Sequence, residues 1–337
     1  MEVFFIDRYD NQKINDVKSF SGYEQVVKYK SNFSRIKSFL IIDKLVKKFF
    51  KKIPKDYLKA NISKEILALV KSLVFGSPVF YLYADKDAFI LPLIKRKFNL
   101  KRVKVFGTLH WPVDISHDYS FYKNNLYDQF DGIISLSSSS NLYNNKKNIT
   151  IPHGINLKYW QNSSNMSFLN YYLIIGVSNR NHEKQVEIIN RILKIDNEAK
   201  FILICREQSV HRLYENIKNI NIHEDYISDA CLKELYSKAK GVILYQNYCL
   251  ASNVVLESIA MQVPLITNNV GDISDYLGFD YPLYNPDEDT LKSFITSEII
   301  RGEIVNYFKN LKIKFDWNEI SSETLNFIEK RLTCVDL

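Results

Sequence analysis

The feature that most limits the fold is an alternation, met twice along the chain, of short apolar runs with longer helical patterns. In the first block MEVFFI, PVFYLYA, KRVKVFGTLH and FDGIISLS are apolar runs of strand length separated by helical stretches. The second block repeats the theme with YYLIIGV, AKFILIC, GVILYQ and VPLITNN. Apolar strands alternating with helices imply parallel sheets covered on both faces and built from βαβ units. Two such blocks in 337 residues predict two α/β domains, each with its own core. Between them, KNITIPHGINLKYWQNSSNMSF reads as a short strand followed by a polar, Asn- and Ser-rich connector. The expected division is an N-terminal Rossmann-like domain over 1–154, a C-terminal one over 155–314, and a terminal helix over 315–337. That helix places Trp317, Ile320, Thr324, Phe327 and Ile328 on one face and is expected to pack back on the N-terminal domain.

Composition narrows the class. Hydrophobic residues at 46% with 25% charged describe a soluble globular chain, not a disordered one. No apolar run reaches the roughly 18 residues a membrane span needs, and the opening MEVFFIDRYD carries acids unlike a signal peptide. Cys205, Cys231, Cys249 and Cys334 form no CxxC pair, so a reducing, cytoplasmic setting is the simplest expectation. Charge is uneven: residues 1–150 hold about 26 basic and about 14 acidic groups, and the remainder is net acidic by about 5. The split suits an anionic surface or substrate. No zinc-finger spacing, RNP-like sequence or helix-turn-helix pattern supports a nucleic-acid partner. In FLIIDKLVKKFFKKIPKDYLK, Lys47, Lys48, Lys51 and Lys52 interleave with Phe49 and Phe50. Wound as a helix, that stretch either packs its apolar stripe on the first sheet or lies peripherally on an anionic membrane.

Four segments carry side chains with chemistry to offer. In ASNVVLESIAMQVPLITNN, Ser252 or Asn253 suits a helix N-cap, and Glu257 sits about one turn into an apolar helix. Glu257 is either an ordinary acid on the solvent face or a group that accepts hydrogen bonds from a ligand diol. In IGVSNRNHEK, a strand ending at Gly176 leads into Arg180, His182 and Lys184. Cations at the carboxyl end of a parallel strand suit a diphosphate, or they form a solvated basic loop. In VFGTLHWPVD, His110 follows a strand end with Gly107 allowing close backbone approach, and in IPHGIN, His153 precedes Gly154. Asp85-Lys-Asp87 mimics a metal-binding DxD.

Together these segments resemble the retaining GT-B glycosyltransferases of the large family 4 class, in the same order. DGIISLS and KNITIPHGIN are similar to its strand–Ser and I-P-x-G signatures, YYLIIGVSNRNHEKQ to its diphosphate-gripping loop, and SNVVLESIAMQVPLITNNVGDISDYL to its donor-binding helix and following strand. The resemblance covers about residues 100–330. It implies two Rossmann-like domains facing across a cleft and transfer of a sugar from a nucleotide diphosphate to a glycan or lipid-linked acceptor in bacterial cell-surface glycan synthesis. It implies no metal or other cofactor. By that resemblance Glu257 would hold the ribose, Arg180 and Lys184 the diphosphate, His110 the transferred sugar, and the backbone at Ser252 and Asn253 would face the phosphates. Two departures stand out. Cys249 occupies the position, eight before Glu257, where the family places a second Glu against the donor sugar. The glycine-rich loop after the first strand is missing, since DRYDNQKINDVKSFSGYEQ holds only Gly22. These departures suit an alternative, a catalytically impaired subunit that stabilises a partner transferase.

Overall fold

The computed structural model describes residues 1–7, 22–37, 61–111, 119–138, 147–162 and 171–333. Lys47, Lys48, Lys51 and Lys52 lie outside the described residues. The chain forms two compact units. The first holds the N-terminal strand, Gly22–His153 and the chain from Trp317 onward; the second holds Gly154–Asp316.

In the first unit the strands are β1 (Val3–Ile6), β2 (Phe33–Arg35), β3 (Val79–Tyr81), β4 (Val105–Leu109), β5 (Gly132–Ser135) and β6 (Asn148–Thr150). They form one sheet in the order β2-β1-β3-β4-β5-β6, every neighbour parallel. β1, β3, β4 and β5 are buried at every position, as a parallel sheet covered on both faces requires. The expected close approach at Gly107 is real: a Cβ there would come within 2.6 Å of the Ala84 side chain and 2.8 Å of the Phe130 ring. A buried carboxylate organises the helices over this sheet. Glu65, fully buried in the helix Asn61–Phe75, accepts the backbone N–H groups of Phe89, Ile90 and Leu91 at 3.0, 2.7 and 3.3 Å. It thus caps the helix Ile90–Phe98, and Tyr81 donates its hydroxyl to the same carboxylate at 2.6 Å.

The terminal helix, Trp317–Thr333, buries Trp317, Ile320, Ser321, Thr324, Phe327 and Ile328, the apolar face read from the sequence with Ser321 added. Its Phe327 ring meets Phe106 of β4 edge-on at 6.2 Å, and Trp317 meets Tyr23 at 5.6 Å. Arg331 donates from Nε to the Asp131 carbonyl at 3.2 Å. This helix therefore completes the first unit's core.

The second unit's strands are β7 (Tyr171–Ile175), β8 (Lys200–Ile204), β9 (Ile220–His223), β10 (Gly241–Leu244) and β11 (Leu265–Thr267). They pair in parallel in the order β11-β10-β7-β8-β9. From β7 the chain winds outward through β8 and β9 on one side, then returns to build β10 and β11 on the other. The strand order reverses between β7 and β10, and ligands of open parallel sheets gather at the carboxyl ends of strands flanking such a reversal. β2 and β9 escape the sequence patterns because both lie at sheet edges. β2 is three residues long and β9 is mostly half-exposed, so neither carries an unbroken apolar run.

Candidate functional site

The loops that leave β7 and β10 are stitched together by backbone hydrogen bonds. Asn181 N–H reaches Tyr245 O at 2.9 Å, and Asn247 N–H reaches Asn179 O at 2.9 Å. Arg180 lies inside this stitch: its Nε donates to the Ile175 carbonyl at 3.1 Å, which folds the half-buried guanidinium back over the end of β7 beside Gly176. Gly176 itself has a φ of 88°. Asn181 then caps the helix His182–Ile195, accepting the Lys184 N–H at 3.0 Å. The Lys184 ammonium is 54% exposed and pairs with Glu187 at 2.6 Å, so it stands in solvent along the helix flank.

Beyond β10 the chain turns tightly into the helix Asn253–Met261. Cys249 is fully buried, Ala251 adopts a left-handed φ of 43°, and Ser252 is the N-cap residue. The Ser252 carbonyl accepts the Val255 and Leu256 N–H groups at 3.0 and 3.2 Å. Its hydroxyl makes no cap hydrogen bond; it is buried and has no partner among the described residues. The loop after β11 presses on this turn. A Cβ on Gly271 would collide with the Cys249 carbonyl oxygen, so only glycine fits the approach. Next to it, Asp272 donates its N–H to Cys249 O at 3.3 Å and accepts the Ala251 N–H on Oδ2 at 2.6 Å.

Glu257 is 6% exposed, which removes the solvent-face alternative for it. Its Oε2 accepts the hydroxyl of Tyr236, on the helix Asp229–Lys238, at 3.1 Å. Burial, and then the Glu257 charge, push the Tyr236 phenol well above its ordinary range, so it stays protonated as a donor. Arg180 shares this electrostatic neighbourhood. Burial pulls its pKa down, while Cys249, Tyr236 and Glu257 pull it back up. The Cys249 thiol is pushed up by burial first and by Asp272 next, so it is a neutral thiol and supplies no negative charge. Burial likewise pushes the Asp272 carboxyl up, offset in part by the Ala251 N–H and by a hydrogen bond with the Cys249 thiol.

The second unit thus brings together Gly176, Arg180, Cys249, Ser252, Asn253 and Glu257, with Lys184 on the adjoining helix. His110 belongs to the first unit, at the end of β4, where its ring stacks on Tyr83 at 4.1 Å and meets Tyr23 edge-on at 4.8 Å. The chain around His110 is held by the first acid of the Asp85-Lys-Asp87 sequence. Asp85 Oδ2 accepts the backbone N–H groups of Trp111 and His110 at 2.9 and 3.3 Å, and Lys86 lies 4.9 Å over the Trp111 ring. Burial raises the Asp85 carboxyl to about 6. His153 is buried against Trp317 and Tyr23. Among the described residues no three His, Cys, Asp or Glu side chains cluster as metal ligands. No helix of the described residues is long and apolar enough to cross a membrane.

Tyr236 and Asp272 were not anticipated from the sequence. Tyr236 has the look of a core aromatic in KELYSKAKG, and nothing local marks its partner. The Gly271-Asp272 pair after a strand reads only as a turn; the one available signal is its place at a strand's carboxyl end.

No protein-family model and no curated protein sequence matches the chain. Solved structures do match in fold. A glycosyltransferase from Rickettsia africae superposes with a TM-score of 0.66 at 14% identity over 98% of both chains. Sucrose-phosphate synthase from Thermosynechococcus elongatus gives 0.62 at 13% identity, covering 89% of this chain and 83% of that one. A UDP-forming trehalose-phosphate synthase from Burkholderia xenovorans gives 0.60 at 10% identity, with 93% and 86% covered. The chain has the GT-B glycosyltransferase fold, two Rossmann-like units with parallel sheets of six and five strands.

Proposed function

We propose that the chain is a glycosyltransferase that takes a sugar from a nucleotide diphosphate held by its second unit. The observation that carries this is the meeting of Arg180, Tyr236 and buried Glu257 at the strand-order reversal, beside the start of the helix Asn253–Met261. A buried carboxylate there accepts from a ribose diol. The Arg180 guanidinium and the helix N-terminus take the diphosphate, whose growing charge as the leaving group they stabilise. Lys184 adds positive charge from solvent by turning away from Glu187. With cations in these places the transfer needs no metal, and it proceeds with retention at the sugar carbon. His110 hydrogen-bonds the transferred sugar. The fold neighbours support the donor class, one of them being a UDP-forming synthase.

The acceptor in this proposal is a glycan or lipid-linked saccharide of bacterial cell-surface synthesis, reached at an anionic membrane through Lys47, Lys48, Lys51 and Lys52. One observation favours a second role, as a non-catalytic subunit that stabilises a partner transferase: Cys249 is a buried neutral thiol where the resemblance leads one to expect a Glu. Calorimetric titration with UDP-glucose, UDP-N-acetylglucosamine and GDP-mannose, followed by a donor-hydrolysis assay, separates the two. The transferase proposal expects binding that Arg180→Ala and Glu257→Ala each weaken at least ten-fold, together with slow release of free sugar. Wild-type protein that binds none of these donors would sink it; binding without any turnover would favour the subunit role.

A further inference from the structure

Where the loop after β11 presses on the turn between β10 and the helix Asn253–Met261, two buried polar atoms have no N–H or O–H partner among the described residues. Asp272 is fully buried; its Oδ2 is used by the Ala251 N–H, but its Oδ1 has no partner among the described residues. The Ser252 hydroxyl, in a residue 9% exposed, is also without one. A buried carboxylate oxygen left unsatisfied costs about 1–3 kcal/mol or more, so a fold that retains one calls for a ligand donor. A phosphate is the wrong partner, because it offers only acceptors and its charge repels a carboxylate. Hydroxyl groups are the right one. Arg180 of the loop after β7 and the N-terminus of the helix Asn253–Met261 already offer positive charge to a diphosphate, which leaves the polyol end of such a ligand for the acid.

The acid is also held in place with care. Gly271 permits the loop after β11 to close on the Cys249 backbone, and Asp272 then grips the backbone of residues 249 and 251 through one hydrogen bond each. Its carboxyl also shares a hydrogen bond with the Cys249 thiol, a weak donor that carries no charge of its own to offer a sugar.

We infer that Asp272 is a donor-binding residue of the second unit, its carboxylate accepting hydroxyls of the transferred sugar at the place where position 249 offers only a thiol. The inference rests on the transferase proposal and narrows it. It assigns the sugar's orientation to an acid from the loop after β11, and it leaves the nucleotide to Arg180 and Glu257.

The test is selective weakening. UDP, GDP, UDP-glucose, UDP-N-acetylglucosamine and GDP-mannose are titrated into wild type and Asp272→Asn, which keeps an acceptor for the Ala251 N–H. For the donor that wild type binds, Asp272→Asn is expected to weaken the nucleotide-sugar at least ten-fold and its parent nucleotide less than three-fold. Equal weakening of both, or of neither, overturns the inference and leaves the transferase proposal standing. A wild type that binds none of the five overturns both. Should Asp272→Asn fail to fold, Asp272→Glu decides, since it keeps the charge and displaces it by one methylene. The same selective loss is expected there, and an unchanged ratio of nucleotide-sugar to nucleotide affinity rejects the assignment.

Discussion

Tyr236 donates its phenolic hydrogen to Oε2 of Glu257 across 3.1 Å, and both side chains are buried in the second unit. The acid that the sequence places alone in an apolar helix is therefore anchored by a donor 21 residues upstream on another helix. Tyr236→Phe is expected to remove that anchor at a cost of about 1–3 kcal/mol, since a buried carboxylate loses a charge-assisted hydrogen bond. Urea unfolding monitored by circular dichroism measures the cost. Glu257→Gln, which keeps the shape and an acceptor, is expected to cost less.

Glu65 holds the start of the helix Ile90–Phe98 through three backbone N–H groups and the Tyr81 hydroxyl. Glu65→Ala strands all four donors in the core and is expected to destabilise the protein by on the order of 3–5 kcal/mol. Glu65→Gln, which still accepts on one oxygen, is expected to lose roughly half as much. A thermal melt in which Glu65→Ala matches wild type would show the cap to be dispensable.

Asp85 supplies a pH dependence of known sign. Its carboxyl is raised from 3.8 to about 6, chiefly by burial, with Lys86 and the Trp111 and His110 N–H groups opposing. Between these values the folded protein holds a proton that the unfolded chain has released. Stability from this group is therefore full below the lower value, falls as pH rises through the window, and is level above about 6. Asp85→Asn cannot ionise and keeps an acceptor for the two N–H groups. Its stability relative to wild type is expected to improve from pH 4 to pH 7, read by urea unfolding at four pH values in between.

Thiol reactivity is expected to follow burial. Cys231 is exposed, whereas Cys205 and Cys249 are buried and burial raises both of their thiols. Under native conditions iodoacetamide is expected to modify Cys231 well before either of the others, as peptide mass spectrometry would record. Early labelling of Cys249 would contradict the closed turn built by Gly271.

What the sequence made legible was whatever depends on unbroken local patterns. β1, β3, β4, β5, β7, β8, β10 and β11 announce themselves as apolar runs because a strand buried on both faces admits little else. The face of the terminal helix is equally plain, from Trp317 to Ile328, since its period is helical and its burial one-sided. The site is harder to read because its partnerships are tertiary. Arg180 and Glu257 are visible as types at strand and helix ends, but Tyr236 reaches Glu257, and Asp272 reaches Ala251, only once β7, β10 and β11 have paired. The Asp85-Lys-Asp87 sequence shows the opposite hazard. The first acid of a pattern that suggests a metal holds the backbone at His110 and Trp111, a partnership that the pattern does not announce.

The terminal helix has a consequence for how the molecule is made. Its residues close the core of a unit that begins with Val3, and the whole of Gly154–Asp316 is synthesised in between. At roughly 5–20 residues per second, β6 leaves the ribosome on the order of ten to thirty seconds before Trp317 does. Throughout that interval Tyr23 and Phe106 lack their cover, and before it ends the second unit has every strand of its own sheet. Birth order and folding order are thus reversed: the half of the protein translated first is the half completed last.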